Sequence, residues 1–257
     1  VGKAAVVRTN LPRAVHQRGV KIPQITARWR GGDKMVGHTR YSPVANYRYN
    51  RKINLRQTGK REVSGLVLPF DEQGFVLDQR LLGVYRMGRG ADTAACGCGW
   101  VACYNALRLL GRPLPPASVI KALEHDFVLG GRMGTRTAAI PLFFMRHGFR
   151  VEAHATLAAA QRAAVGAAAN IVYYIRGRHP SAHFVAFTGK VGEAADGQPL
   201  YRFYNSLSVP VLPCRAPAGE TGSFFCAGGN AGDVRTLPGL LAPEYPLVKL
   251  VFSIYPQ

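Results

Sequence analysis

The run Cys98-Gly99-Trp100-Val101-Ala102-Cys103-Tyr104-Asn105-Ala106-Leu107-Arg108-Leu109-Leu110-Gly111 decides how the rest of the chain is read. Val101, Ala102, Ala106, Leu109 and Leu110 supply an apolar, helix-compatible pattern, and Gly111 is a natural stop before Arg112-Pro113. The pattern predicts a helix over 98–110 with Cys98 in its first turn. Unpaired backbone N–H groups and the positive end of the helix dipole favour thiolate over thiol there, the condition for a sulfur nucleophile at neutral pH. The same N–H groups can form half of an oxyanion hole. Cys103 has no such advantage and is expected in the core.

A nucleophilic thiol needs a base, and among seven histidines His183 has the suitable context. It opens the apolar run His183-Phe184-Val185-Ala186-Phe187, which reads as a strand, after the turn-forming Arg178-His179-Pro180-Ser181. A third polar group should fix the imidazole ring. The next strand, Leu200-Tyr201-Arg202-Phe203-Tyr204, ends in Asn205-Ser206 and offers one. His154 and His179 compete less well, because neither opens a core-like strand.

Composition narrows the alternatives. The chain has 257 residues, 47% of them hydrophobic and 18% charged, which suits a globular protein with a real core and argues against disorder. No apolar run approaches the roughly 18 residues that span a bilayer, so no transmembrane segment is expected. The sequence starts at Val1 without a signal-peptide pattern, which suggests a fragment or a processed form and leaves both secretion and the cytoplasm open. Five cysteines, Cys96, Cys98, Cys103, Cys214 and Cys226, are odd in number and clustered, unlike a disulfide framework. Cys96-Gly97-Cys98 could begin a zinc site, but no second Cys/His pair stands at ligand spacing. Gly228-Gly229 with Gly232 follows no strand as a dinucleotide fingerprint would. No metal or organic cofactor is expected.

Charge divides the chain unevenly. Residues 1–61 hold 15 Lys and Arg against the single acid Asp33, whereas 62–257 hold 18 against 13. The first segment is read as a basic N-terminal arm and the second as the catalytic body. Trp29, Tyr41, Tyr47 and Tyr49 lie among the arginines, a mixture suited to nucleic acid, another anionic surface or an acidic partner. A solvated arm or a propeptide-like segment fits the same composition. Gly31-Gly32, Gly37, Ser42-Pro43 and Thr58-Gly59 predict short strands and loops in the arm.

Read in order, Cys98-Gly99-Trp100, Asn105-Ala106-Leu107, Gly134-Thr135 opening a helix that ends in His147-Gly148-Phe149, His183-Phe184-Val185 and Asn205 resemble papain-like cysteine peptidases, most of all the bacterial leader-peptidase-like, bacteriocin-processing type. The resemblance covers roughly residues 92–206, with 247–255 as a closing strand, and does not reach the basic arm. It implies Cys98 as nucleophile, His183 as base, Asn205 as orienting residue and a peptide or protein substrate. It also implies an α+β fold in which helix 98–110 packs across an antiparallel sheet of strands near 170–175, 183–188, 200–205 and 247–255. Cys96 is the alternative nucleophile. The glutamine such enzymes place before the nucleophile to donate to the oxyanion is absent six residues upstream, where Asp92 stands. That departure leaves room for Thr93 or a residue elsewhere in the role. It also leaves room for a glutamine deamidase or acyl transferase on the same fold, or for an inactive scaffold that binds polyanions through the arm. Helices are further expected from 115 to 127 and over 158–168, and a surface loop over 216–233.

Overall fold

Val, Ile, Tyr and Phe crowd residues 169–175 and 182–187, and in the computed structural model these two runs form the centre of an antiparallel sheet. The structure describes residues 43–58, 70–71, 73–83, 85–89, 91–177, 181–206, 212–215, 223–226 and 233–257, all within one compact unit, Tyr41–Gln257. The arm up to residue 42, the stretch 59–69, His179 and most of the expected loop 216–233 lie outside the described residues.

In chain order the elements are helix α1 (Pro43–Thr58), strands β1 (Arg86–Met87) and β2 (Ala91–Asp92), and helices α2 (Thr93–Cys96), α3 (Cys98–Leu109), α4 (Pro116–Ala122) and α5 (Ala139–Arg146). Strand β3 (Phe149–His154), helix α6 (Leu157–Gly166), and strands β4 (Ala169–Ile175), β5 (Ala182–Phe187), β6 (Gly192–Glu193) and β7 (Pro199–Tyr204) follow. The chain closes with β8 (Leu212–Arg215), β9 (Ser223–Cys226), β10 (Asp233–Arg235), α7 (Leu237–Leu241) and β11 (Val248–Pro256). The sheet runs β10-β7-β5-β4-β11-β3 with β6 added to β7, every pairing antiparallel; β8 and β9 form a separate hairpin.

Alternation along the strands gives the sheet two apolar faces. Ile171, Phe184, Ala186, Phe252 and Ile254 share a core with Trp100, Val101, Leu107 and Phe144 from α3 and α5. Val172, Tyr174, Val185, Phe187 and Phe203 share another with Ala160 and Ala164 of α6 and Leu237, Leu240 and Leu241 around α7. The fold is therefore α+β, with α3 packed on an antiparallel sheet as expected.

Several boundaries differ from the sequence reading. The helix expected from Gly134-Thr135 begins at Ala139, and the one expected through Phe127 stops at Ala122 before a 3-10 turn, Glu124–Asp126. Strands β3 and β10 extend the sheet beyond the four foreseen, and β9 occupies part of the expected 216–233 loop. The largest correction lies over residues 43–58, where α1 stands in place of the strands and loops expected for the arm; the rest of that expectation lies outside the described residues. Pro43 and Thr58 are the end residues of this helix and do not break it. Pro43 stands at its first position, where a missing N–H costs nothing.

Helix α1 packs on the body of the fold. Asn54 exchanges two hydrogen bonds with the Arg86 backbone, at 2.9 and 2.8 Å, and the Asn50 amide donates to the Gly88 carbonyl at 2.5 Å. Arg51 grips the buried Glu124 carboxylate with two bonds, of 3.0 and 2.6 Å, and Tyr47 meets His125 edge-on.

Candidate active site

The tripeptide Gly97-Cys98-Gly99 explains how α3 can start inside the protein. Gly97 is the N-cap and supplies no side-chain cap. A Cβ there would lie 2.5 Å from the Thr93 methyl, and one on Gly99 would lie 2.5 Å from Thr135 Cβ and Oγ1. Only hydrogen at those two positions lets the first turn press between Thr93 and Thr135. The adjoining Trp100 is fully buried and donates from Nε1 to Thr93 Oγ1 at 3.3 Å.

Cys98, the first helical residue, is 7% exposed. Backbone N–H groups of Phe184, Gly99 and Cys98 itself face its sulfur and favour the thiolate, yet burial outweighs them and pushes the thiol up to about 11. The sequence expectation considered the helix terminus without the depth of the site. As folded, Cys98 is a neutral thiol at pH 7. Cys103, also buried, is pushed up further. Cys96 ends α2, is partly exposed, and its thiol lies 3.2 Å from the Arg132 carbonyl.

Strand β5 runs past Cys98: the Phe184 N–H faces the Cys98 sulfur, and His183 is the preceding residue on the same strand. His183 is 4% exposed and sits opposite Tyr174 on β4, with the two rings edge to face at 5.8 Å. Strands β5 and β7 pair at Ala186↔Tyr204 and Phe187↔Phe203, and not at His183. Beyond that pairing the chain turns at Asn205, in the left-handed region at φ 62°. The Asn205 backbone oxygen lies 2.8 Å from His183 Nε2. A carbonyl can only accept, so Nε2 carries the proton and Nδ1 keeps its lone pair. Burial draws the imidazole pKa down to about 4; the bond to the Asn205 carbonyl opposes this and the Arg176 charge adds to it.

Asn205 meets the imidazole through its backbone carbonyl. Its carboxamide does not hold the imidazole but pairs with Gln79: the Gln79 backbone N–H donates to Oδ1 and Asn205 Nδ2 donates to Gln79 Oε1, both at 2.8 Å. The left-handed backbone at Asn205 presents the carbonyl, not the side chain, to the ring. The Gln79 amide in turn donates to the Ala94 carbonyl in α2 at 3.1 Å, four residues before Cys98. The sequence reading missed Gln79. Its one local cue is Asp78, which accepts from Arg80 N and caps the 3-10 turn Gln79–Leu82.

The remaining candidates belong to other strands. His154 is on β3, two strands beyond β4, near Glu152 at 3.7 Å. Asp92 belongs to β2. Among the described residues no group of three His, Cys, Asp or Glu could hold a metal ion, and no helix is long and apolar enough to cross a membrane.

No family model matches the chain, and no curated protein matches it. Among solved structures it is similar to the peptidase domain of Streptococcus ComA, a bi-functional ABC transporter involved in a quorum-sensing pathway. The identity is 15% and the TM-score 0.38, over 67% of this chain and 99% of the other.

Proposed function

We propose that the chain is a papain-like thiol hydrolase that cleaves peptide bonds, or side-chain amides, through Cys98, His183 and the backbone carbonyl of Asn205. One observation supports the reading: His183 donates from Nε2 to that carbonyl, which leaves Nδ1 as the basic nitrogen of a ring carried by the strand whose next residue, Phe184, turns its N–H to the Cys98 sulfur. Because burial favours thiol and neutral imidazole, the reaction starts from the uncharged pair and not from a preformed ion pair.

The proton leaves the Cys98 sulfur for His183 Nδ1 as the sulfur attacks the carbonyl carbon. The developing oxyanion is received at the first turn of α3, where the Cys98 N–H helps hold it. His183, now an imidazolium, gives its proton to the departing amine as the C–N bond breaks, leaving a thioester. Water then attacks the thioester with His183 as base, and the proton returns to the sulfur as the acid departs.

A second reading, a scaffold that binds polyanions through its basic segment, draws on the same opposed pKa shifts, which disfavour a resting thiolate. Site-resolved alkylation with iodoacetamide at pH 7 separates the two. The hydrolase reading expects Cys98 to label faster than Cys103, which is also buried, and to lose that advantage in His183→Ala. Cys96 serves as an internal standard for an ordinary, partly exposed thiol. Labelling of Cys98 that is indifferent to His183 sinks the hydrolase. Salt-sensitive binding to a polyanion, unchanged in Cys98→Ala, would then support the scaffold.

A further inference from the structure

We propose that Gln79 is a positioning residue for the Cys98–His183 pair: it locks the Asn205 turn that holds the imidazole and ties that turn to the segment leading into the nucleophile. The inference rests on the thiol-hydrolase reading and extends it to a residue with no place in the resemblance-based triad.

Two parts of the site approach from distant stretches of chain. One is α2 with the start of α3, which carry Ala94 and Cys98; the other is the end of β7, which carries Asn205 and, through it, His183. Gln79 belongs to neither and binds both. Its backbone and side chain together close a two-bond ring on the Asn205 carboxamide, across 126 residues of sequence. Its remaining amide function reaches the Ala94 carbonyl. Gln79 and Asn205 are both buried, so water does not replace these bonds without cost.

The ring constrains a conformation that needs constraint. Asn tolerates the left-handed region better than most residues, but a free Asn also samples extended backbone. If Asn205 left φ 62°, its carbonyl would rotate away from His183 Nε2. The Nε2 proton would then lose its partner, and the tautomer with the proton on Nδ1, which cannot act as a base toward sulfur, would become populated. Gln79 prevents this by fixing the side chain of the residue whose backbone does the orienting.

Three variants test the proposal, Gln79→Met, Asn205→Gly and the double variant. Met keeps the length of Gln and the backbone N–H but has no amide. Gly accepts the left-handed turn and keeps the carbonyl while losing the carboxamide, so the test survives if one variant fails to fold. Two readouts are used at pH 7: 15N chemical shifts of the His183 ring, which report its tautomer, and the rate of Cys98 alkylation by iodoacetamide.

Wild type should show the Nε2–H form alone. Each single variant should show both tautomers while unfolding cooperatively. Its alkylation should slow by about tenfold or more, part of the roughly 10²–10⁴ that a well-placed base contributes. The effects of the double variant should fall short of the product of the single ones, because both single variants remove the same Asn205 Nδ2 to Gln79 Oε1 bond. Unchanged tautomer and rate in Gln79→Met, or effects that multiply in the double variant, overturn the inference. Wild-type alkylation that ignores His183→Ala overturns the hydrolase reading instead, and the tautomer comparison still decides the role of Gln79.

Discussion

Helices α1 and α3 are similar in length, sixteen and twelve residues, and are held by opposite means. Helix α3 buries Cys98 through Leu107, and its apolar side chains fill the core between the sheet and α5. Helix α1 turns Tyr47, Asn50, Arg51 and Asn54 inward, at the spacing i, i+3, i+4, i+7, with Asn50 and Asn54 buried. Arg48, Lys52 and Arg56 face outward together with Tyr49 and Leu55, which are 64% and 65% exposed. Both helices thus have an inner stripe of helical period. A helix anchored by apolar burial announces itself in the hydrophobic pattern, whereas one anchored by carboxamides and a guanidinium carries the same period in residues that read as surface.

The charge boundary near residue 61 therefore assigns to the arm a helix that packs on the body, and deletion is the most severe way to test the comparison. A chain starting at residue 62 lacks α1 and leaves the Arg86 and Gly88 carbonyls without its amides. The Glu124 carboxylate, whose side chain is 2% exposed, loses Arg51. An unpaired buried charge is among the costlier defects a fold can carry. That chain should lose cooperative thermal unfolding followed by circular dichroism, while a chain starting at residue 41 keeps it. Equal unfolding midpoints for the two would make α1 an appendage.

The same contrast divides the candidate site. Cys98, His183 and Asn205 were legible because each stands at a local signal: a helix start, the opening of an apolar strand, a strand end. Gln79 carries no such signal, since its bonds to Asn205 depend on how β7 and the 78–82 turn meet in space. The role of Asn205 was legible only as far as the residue. Whether side chain or carbonyl faces the ring depends on a backbone angle, and no residue type fixes that angle. The raised Cys98 thiol was not legible for a related reason, because a helix start is visible in sequence and the depth of its burial is not.

That burial has a measurable consequence. His183 keeps its neutral form down to about pH 4 in the fold, while in the unfolded chain it protonates near 6.5. Between those values the unfolded state binds the extra proton, so stability falls as pH drops from 6.5 to 4, by about 3 kcal/mol in all. Urea midpoints across that range should follow this slope in wild type and lose much of it in His183→Phe. At the alkaline end, Cys98 holds its proton to about 11, so stability should also fall as pH rises above 9. A flat acid limb would mean that the site opens and hydrates the imidazole.

The gentlest test falls on α1 itself. Asn54→Ala removes an amide that both donates to and accepts from the Arg86 backbone, leaving a carbonyl and an N–H of β1 unpaired in a partly buried position. The expected cost is about 1–3 kcal/mol. Tyr49→Ala, on the outer face, should cost no more than about 0.5 kcal/mol, since its side chain is largely in water. Measured by urea denaturation, a large difference between the two establishes that a polar stripe does for α1 what Leu107 and its neighbours do for α3. If both substitutions were silent, the Asn54 clasp on β1 would be incidental, and α1 would depend on Asn50 with Gly88, Arg51 with Glu124 and Tyr47 with His125.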